Sequence, residues 1–492
     1  MNTGELLIAL ALALPLFAAA ATYAVGRMPD VRETLTLVSA IGLTIITLSM
    51  AVRTGAGDAP QLVMARPLQG LELAFRLEPL GALFALMASV LWGINSMFSI
   101  GYMRGKREPN QTRFYVCFCF AIFGVMGIAM AANLFTLFVF YEVLTFSTYP
   151  LVAHKGDEPA RRAGRIYLAI LVGASVTLLL PGIIAVQAIA GSTDFVEGGL
   201  LQGKVNLDVG GILLALLVFG AAKAALMPVH SWLPTAMVAP APVSALLHAV
   251  AVVKAGVFTI MKISAFTFGP NLIGHMPVAQ WLLWLAAATI VISSLVAMRK
   301  DDLKARLAWS TIGQLAYVTS AALLPAAAGF AAGGLHLLAH AVAKITLFMC
   351  AGAIYVATGA TRVSQMRGLG RRMPVVFFCF LVGALSIVGM PPFAGMWSKF
   401  LLITASFGSE EWITATAMIV SSMLSLFYLA PIAIRGLLPP ASDAAPVEFV
   451  RPGGAPGLTV APLVITAIAS VALFFFADEV IAFLVPVAGA AP

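Results

Sequence analysis

The sequence predicts an all-α polytopic membrane protein with about 14 transmembrane helices in one bundle. Of its 492 residues, 61% are apolar and only 10% are charged, whereas a soluble globular chain carries about 25% charged residues. The mean hydropathy is +0.99. Apolar runs of about 18 residues or more, each long enough to cross a bilayer, recur along almost the whole chain.

These runs place the helices, and a short β-hairpin is expected outside the membrane. Strands are predicted at 61–66 and 71–78, because LELAFRLE alternates apolar and polar residues. The loop 191–209 is a second candidate for a hairpin. The predicted helices span 4–26, 34–53, 79–103, 112–132, 133–153, 164–190, 210–232, 241–267, 277–298, 305–324, 329–358, 374–405, 411–437 and 457–486.

Positive charges alternate between the predicted loops. Loops that follow odd-numbered helices hold 20 of the 29 Lys and Arg residues, whereas loops that follow even-numbered helices hold four. Cytoplasmic loops carry the excess of Lys and Arg, so both termini are expected on the non-cytoplasmic side of a bacterial inner membrane. The net charge of +8 is therefore attributed to the positively charged cytoplasmic loops that set the membrane topology. Nucleic acid is not an expected partner, because no basic cluster interleaves with exposed aromatic residues.

Sequence motifs give no sign of a cofactor or metal site. The four cysteines lie in apolar runs without a CxxC pair, and there is no GxGxxG or GxxxxGK[ST] pattern in a strand–helix context. We expect any redox or nucleotide chemistry to reside on another chain. The cysteines are Cys117, Cys119, Cys350 and Cys379.

Prolines interrupt the seventh and twelfth predicted helices, in AAKAALMPVHSWLPTA (221–236) and GMPPFAGMWSKF (389–400). Interrupted helices in corresponding positions of two halves indicate inverted repeats with a transport site between them. Because the two interruptions are five helices apart, helices 4–8 and 9–13 are predicted to form inverted five-helix repeats. The expected organisation is 1–110 (helices 1–3), 111–268 (first repeat), 269–438 (second repeat) and 439–492 (linker and helix 14).

Isolated ionisable residues inside the apolar segments are the strongest functional signal. A charge at bilayer depth costs roughly 2.5–3.5 kcal/mol, so one Glu and four Lys would cost roughly 12–18 kcal/mol if unpaired and dry. Such groups mark ion pathways, and we interpret them as a proton relay. The candidate relay residues are Glu142, Lys223, Lys254, His336, His340, Lys344 and Lys399.

At the start of this relay, Glu142 and Lys223 are predicted to pair, and opening the pair would change the affinity of Lys223 for a proton. The alternative for Glu142 is a purely structural ion pair. Lys254 is a connecting group, and Lys399, after the second interruption, is the terminal one. Lys262 lies close to a helix end and is interpreted as a lysine that snorkels to the interface.

His336, His340 and Lys344 follow an i, i+4, i+8 pattern and form one polar stripe on an apolar helix. A neutral histidine titrates near physiological pH and can pass a proton. The alternative is hydrogen bonding between helices. The spacing of the two histidines permits a metal, but no third ligand is in view.

Five ordered stretches resemble the antiporter-like subunits shared by complex I, membrane hydrogenases and multisubunit Mrp-type Na⁺/H⁺ antiporters. The resemblance implies a 14-helix fold with inverted repeats and two half-channels joined by a central polar axis. It also implies Glu142 and Lys223 as the input pair, Lys254 and the histidine stripe as connecting groups, and Lys399 as the exit. The stretches are 141–152, 223–258, 301–318, 336–354 and 389–402.

This chain looks most like the D-type antiporter subunit of Mrp complexes, because it has a lysine at both helix breaks and ends soon after helix 14. The expected function is proton translocation in a multisubunit Na⁺/H⁺ antiporter, with other membrane subunits, protons, Na⁺ and the bilayer as partners. The alternative is a proton-pumping subunit of an NADH:quinone oxidoreductase or membrane hydrogenase, and only then part of an enzyme. A self-sufficient solute carrier is disfavoured because it would need a more varied polar lining.

Overall fold

Fourteen membrane-crossing segments form one helical bundle in the computed structural model, which describes residues 2–68, 70–325, 327–439 and 454–488. The unbroken helices match the predicted runs because bilayer thickness fixes their length. They are helix 1 (Thr3–Ala24), helix 2 (Pro29–Gly55), helix 3 (Pro79–Lys106), helix 4 (Gln111–Ala129), helix 5 (Leu134–Val152), helix 9 (Pro277–Arg299), helix 10 (Leu303–Leu323), helix 11 (Ala327–Thr358), helix 13 (Trp412–Leu437) and helix 14 (Gly457–Phe475).

The remaining segments are irregular. Helices 6 and 8 contain π-helical turns, which are frequent at functional sites. Helix 6 runs through Glu158–Ala174, Ser175–Leu179 and Leu180–Ala190; helix 7 through Leu207–Gly220, Ala222–Ala224, Trp232–Thr235 and Ala236–Val238; helix 8 through Ala241–Ala245, Leu246–Val250, Val252–Lys262 and Ile263–Phe268; and helix 12 through Pro374–Val388 and Gly395–Gly408. Short helices at Pro270–His275 and Ala477–Leu484 follow helices 8 and 14. The predicted linker lies outside the described residues over 440–453.

The predicted hairpin is present as antiparallel strands β1 (Gln61–Leu68) and β2 (Leu71–Arg76). The second hairpin, suggested for 191–209, does not form. That segment turns at four glycines with positive φ, Gly191, Gly198, Gly199 and Gly203, and its pairing is an isolated bridge from Asp194 to Asn133. Repeated turns prevent the two extended runs that a hairpin requires.

Helices 7 and 12 break where the sequence predicts. Helix 7 stops at Gly220 and the chain turns through Ala225 at a φ of 55°, while helix 12 stops before Gly389 at a φ of 93°. Backbone carbonyls freed at membrane depth need other donors. Side chains supply them: the Trp232 indole donates to Ala222 O at 3.0 Å, and Lys399 Nζ donates to Val388 O at 3.4 Å.

Two glycines allow each break to pack closely against its surroundings. A Cβ on Gly256 of helix 8 would lie 2.1 Å from the backbone nitrogen of Ala224, next to Lys223. A Cβ on Gly395 would lie 1.8 Å from Ser386 O. Because real Cβ atoms do not approach backbone so closely, only glycine fits at these two positions.

Helix 11 lies at the centre of the bundle. Within Ala328–Thr358, 94% of its most apolar 18-residue window is buried, whereas the corresponding fraction for helix 14 is 33%. Helix 11 carries His336, His340 and Lys344, so the polar stripe faces other helices and not lipid.

Candidate proton relay

Lys223 lies in the break of helix 7 and is completely buried. Its Nζ donates to Thr145 Oγ1 at 2.6 Å and to Tyr141 O at 2.9 Å, both on helix 5. Its backbone nitrogen donates to the Tyr141 hydroxyl at 3.0 Å. Helix 5 therefore holds both the side chain and the backbone of this lysine.

Glu142 does not make the predicted direct contact with Lys223. Among the described residues, neither of its carboxylate oxygens has a hydrogen-bond donor, and no ion pair joins it to the lysine within 4.0 Å. Consecutive helical residues point about 100° apart, so Tyr141 and Thr145 occupy the side of helix 5 that faces Lys223. Glu142 and Lys223 therefore do not form a hydrogen-bonded ion pair in this structure.

Lys254 reaches helix 11 directly. Its Nζ lies 2.6 Å from His340 Nδ1, and the His340 ring stacks on His336 with centroids 6.0 Å apart and planes 13° apart. His336 Nδ1 in turn lies 2.9 Å from Ser398 Oγ, next to Lys399. The structure thus brings Lys254, His340 and His336 into one line that ends at Ser398, the neighbour of Lys399 in sequence. We call Lys254, His340, His336 and Lys399 the histidine branch.

Lys344 leaves this line although it shares the stripe of helix 11. Its Nζ donates to Ser310 Oγ at 2.7 Å and to Leu307 O at 3.2 Å, both on helix 10. Ser310 also accepts a hydrogen bond of 2.9 Å from the Tyr428 hydroxyl of helix 13.

In the described part of the chain, no group of three or more His, Cys, Asp or Glu could hold a metal ion.

Lys399 is 3% exposed and follows the break of helix 12. Its Nζ donates to Ser422 Oγ at 2.9 Å and lies 5.0 Å from the centre of the Tyr317 ring. Tyr317 also stacks on His336, with ring centroids 5.4 Å apart. Lys399 therefore contacts helices 10 and 13, and Tyr317 connects it to His336 of helix 11.

The hydroxyl partners of the lysines are functional candidates that the sequence did not reveal. Ser and Thr are too common in apolar helices to single out by type. A related signal was present on helix 13: Ser421, Ser425 and Tyr428, whose hydroxyl donates to the Lys344 partner Ser310, follow an i, i+4, i+7 pattern. Such a pattern predicts a polar face turned toward other helices.

Lys262 corrects one expectation, because it does not snorkel. It is 2% exposed, and its Nζ lies 3.0 Å from Glu78 Oε1 and donates to Ala131 O at 2.6 Å. Glu78 is the residue immediately before helix 3. The lysine is thus paired inside the protein on the side of the membrane that carries the hairpin.

The fold and its buried ionisable residues define an antiporter-like membrane protein with many spans. Residues 131–425 match the family described as "NADH:quinone oxidoreductase/Mrp antiporter, TM". The chain belongs to this family, and it is a proton-translocating, antiporter-like membrane subunit of the kind found in complex I and Mrp complexes.

Two curated relatives show how far the similarity extends. NADH-quinone oxidoreductase subunit N of Desulforudis audaxviator is 32% identical over 435 residues, 84% of each chain. NAD(P)H-quinone oxidoreductase chain 5 of Synechocystis sp. is 32% identical over 384 residues, which is 73% of this chain but only 54% of that protein.

Two solved structures share the fold. A chain of the Mrp complex from Dietzia sp. superposes with a TM-score of 0.87 at 23% identity, over 99% of this chain and 97% of that one. A chain of an archaeal respiratory membrane complex, the membrane-bound sulfane sulfur reductase, gives 0.84 at 24% identity, over 98% and 96%. At these identities the likeness concerns the fold alone.

Proposed function

We propose that this protein is the proton-carrying subunit of a multisubunit cation/proton antiporter, with Na⁺ as the exchanged ion, in a bacterial inner membrane. Protons pass along the predicted relay, and other membrane subunits complete the complex. The residues proposed to carry them are Glu142, Lys223, Lys254, His336, His340, Lys344 and Lys399.

The observation that carries this proposal is the set of buried lysines without a carboxylate partner. Lys223, Lys254, Lys344 and Lys399 are at most 3% exposed, and none has an acidic oxygen within 4.0 Å among the described residues. Each contacts a hydroxyl or imidazole instead. A static role would favour tight ion pairs, because unpaired buried charges are strongly unfavourable. Lysines held by neutral acceptors can lose and regain a proton.

The arrangement of the breaks supports two half-channels. We assign 111–268 and 269–438 to inverted repeats, preceded by 1–110 and followed by 439–492. Each repeat contains one broken helix with a buried lysine in or just after the break, Lys223 and Lys399. The excess of positive charge in the odd-numbered loops supports an orientation with both termini on the non-cytoplasmic side.

A second function is favoured by the subunit N relative, since the similarity spans 84% of both chains. In this alternative the same relay serves a proton-pumping subunit of an NADH:quinone oxidoreductase, and electron transfer on other subunits drives it. The residues and their roles within this chain are the same in both cases.

Replacing either lysine at a break tests the relay. We expect Lys223→Ala and Lys399→Ala to lower coupled proton transport by roughly 10²-fold or more, the scale at which a positioned proton-transfer group contributes. Proton flux is measured in the complete complex reconstituted in liposomes, after assembly is checked by gel filtration. The control is Lys204→Ala, at an exposed loop lysine. Normal proton-linked transport in either assembled variant would contradict the proposed path.

A further inference from the structure

A cavity of about 340 Å³ lies at the face of the bundle that carries the loops after the odd-numbered helices. Its walls come from both proposed repeats, because Met237 and Val238 at the end of helix 7 belong to the first, and Leu303 and Lys304 at the start of helix 10 belong to the second. None of the seven candidate relay residues lines it. The cavity is therefore distinct from the proposed relay.

Two lysines supply positive charge to this cavity. Lys304 Nζ donates to Ala239 O at 2.6 Å, and Lys155 lies in the loop after helix 5. An ammonium group has three N–H donors. Among the described residues, Ala239 O is the one hydrogen-bond acceptor of Lys304, and no carboxylate oxygen lies within 4.0 Å of either amine. Both lysines therefore retain donors that an anion can use.

One acid also lines the cavity, and it already has a structural role. Asp302 Oδ1 accepts from Ala305 N at 2.8 Å and so caps helix 10. A further cation lies next to the cavity, since Lys106 Nζ of helix 3 is 4.4 Å from the centre of the Tyr355 ring, which forms part of the wall. Positive groups thus outnumber the acid, and this balance favours an anionic ligand.

The remaining wall is suited to the part of a lipid that joins its headgroup to its acyl chains. Tyr102 and Tyr355 stack there with ring centroids 6.5 Å apart and planes 23° apart. Tyrosine has an apolar ring and a polar hydroxyl, and it is enriched where membrane meets water. Met237, Val238 and Leu303 add apolar surface. A small soluble anion has no apolar part to place against this wall, whereas a phospholipid has one.

We propose that this cavity binds the headgroup phosphate of an anionic phospholipid, with Lys155 and Lys304 as its cationic contacts. Basic pockets between transmembrane helices on the cytoplasmic side bind such headgroups, and the cytoplasmic leaflet is the negatively charged one. The proposal rests on the proposed orientation, which places the odd-numbered loops in the cytoplasm, and does not depend on which ion is exchanged. A lipid bound there bridges the turn between helices 7 and 8 to helix 10.

Removing the two cations tests the site. In the complete, delipidated complex, we expect Lys155→Ser combined with Lys304→Gln to weaken phosphatidylglycerol binding about 30-fold, equivalent to about 1 kcal/mol for each lysine. Native mass spectrometry during a lipid titration measures this affinity. Glutamine at 304 keeps a donor toward Ala239 O. If this double variant does not assemble, Lys155→Ser alone, at an exposed loop residue, should weaken binding about fivefold.

The matched control removes two exposed cations from the same face outside the cavity, in Arg299→Ser combined with Lys300→Ser. We expect the control to bind phosphatidylglycerol at the tight site as the wild type does. Unchanged affinity in the variant at Lys155 and Lys304 would overturn the proposal. An equal loss in the control would also overturn it, because the lipid would then be held by general surface charge.

Thermal stability separates a lipid from a soluble phosphate. A ligand that binds only the folded state stabilises it, so phosphatidylglycerol should raise the melting temperature of the delipidated complex more than phosphatidylcholine or inorganic phosphate does. This rise should disappear in the variant at Lys155 and Lys304 and persist in the control. An equal rise with inorganic phosphate would assign the cavity to a soluble anion and overturn the lipid site.

Chemical labelling separates a lipid from a partner subunit. In Lys155→Cys, a maleimide should react faster after delipidation than before it, with the wild-type complex as the reference for the native cysteines. Slow labelling that persists after delipidation, in a complex of unchanged composition, would show that a partner subunit covers the cavity and would exclude the lipid.

Discussion

At the scale of single residues, Thr145 and not Glu142 contacts the amine of Lys223. The lysine amine is 2.6 Å from the threonine hydroxyl, while the glutamate oxygens lie beyond ion-pair distance. In this conformation the amine of Lys223 is therefore bound to Thr145 and not paired with Glu142. Movement between the threonine and the glutamate would let helix 5 hold Lys223 in two positions.

Thr145→Val keeps the shape of the side chain and removes the hydroxyl that accepts from Lys223. A hydrogen bond to a charged group contributes about 1.5–3 kcal/mol, so the lysine should move toward Glu142 and proton flux should fall about tenfold or more. Flux in the reconstituted complex is the measurement. Thr44→Val is the control, because the Thr44 hydroxyl bonds only to a carbonyl of its own helix. Unchanged flux in assembled Thr145→Val would show that the contact is incidental.

The burial of the candidate relay residues could be predicted from the sequence, but their partners could not. A charged residue in an apolar run is visible in one dimension, and all seven candidates except Glu142 are at most 3% exposed. Partners depend on how distant segments pack. Lys262 was misjudged because Glu78, which precedes helix 3, is far from it in sequence. Lys344 was grouped with the two histidines because helical spacing shows which residues share one face of a helix. It does not show in which direction a long side chain then extends.

At the scale of elements, the breaks of helices 7 and 12 were predictable and their packing was not. Prolines mark the segments in which the two helices are interrupted, although helix 7 already stops at Gly220, and this signal is local. The close approach of helix 8 to the break of helix 7 depends on tertiary packing. Its one sign in the sequence is Gly256, which cannot be distinguished there from the other glycines among the 43. The turns of 191–209 were missed for a similar reason, since glycines with positive φ resemble other loop glycines in the sequence.

Gly256→Ala should displace the break of helix 7. The added Cβ would meet the Ala224 nitrogen at 2.1 Å, and because this contact is backbone, helix 8 and the break must separate. Overpacking of this kind costs about 1–3 kcal/mol, and we expect a lower melting temperature and a loss of flux as Lys223 shifts. Gly173→Ala in helix 6 is the matched control, since its Cβ meets nothing within 4 Å. Equal stability of the two variants would argue against this role for Gly256.

At the scale of the whole molecule, the distribution of charge bears on which ion this chain is proposed to carry. The described relay contains four buried lysines and a single carboxylate, Glu142. Protonated lysines repel a metal cation, whereas hard cations bind to sets of oxygen ligands. The proposed relay therefore suits protons, and under the proposed function Na⁺ would cross on a partner subunit or at an interface with one.

This argument makes a prediction for the assembled complex. Purified from its native membrane through a tag on this chain, the complex should contain further membrane subunits without flavin or Fe–S absorbance, and in liposomes an imposed Na⁺ gradient should drive proton movement. Lys223→Ala should abolish that proton movement while leaving subunit composition unchanged, because the proposed function assigns the Na⁺ path to a partner subunit and the proton path to this chain. Mass spectrometry, the visible absorption spectrum and a pH-sensitive dye measure the three quantities. Flavin and Fe–S subunits in the purified complex, with no response to Na⁺, would assign the same relay to a redox-driven pump.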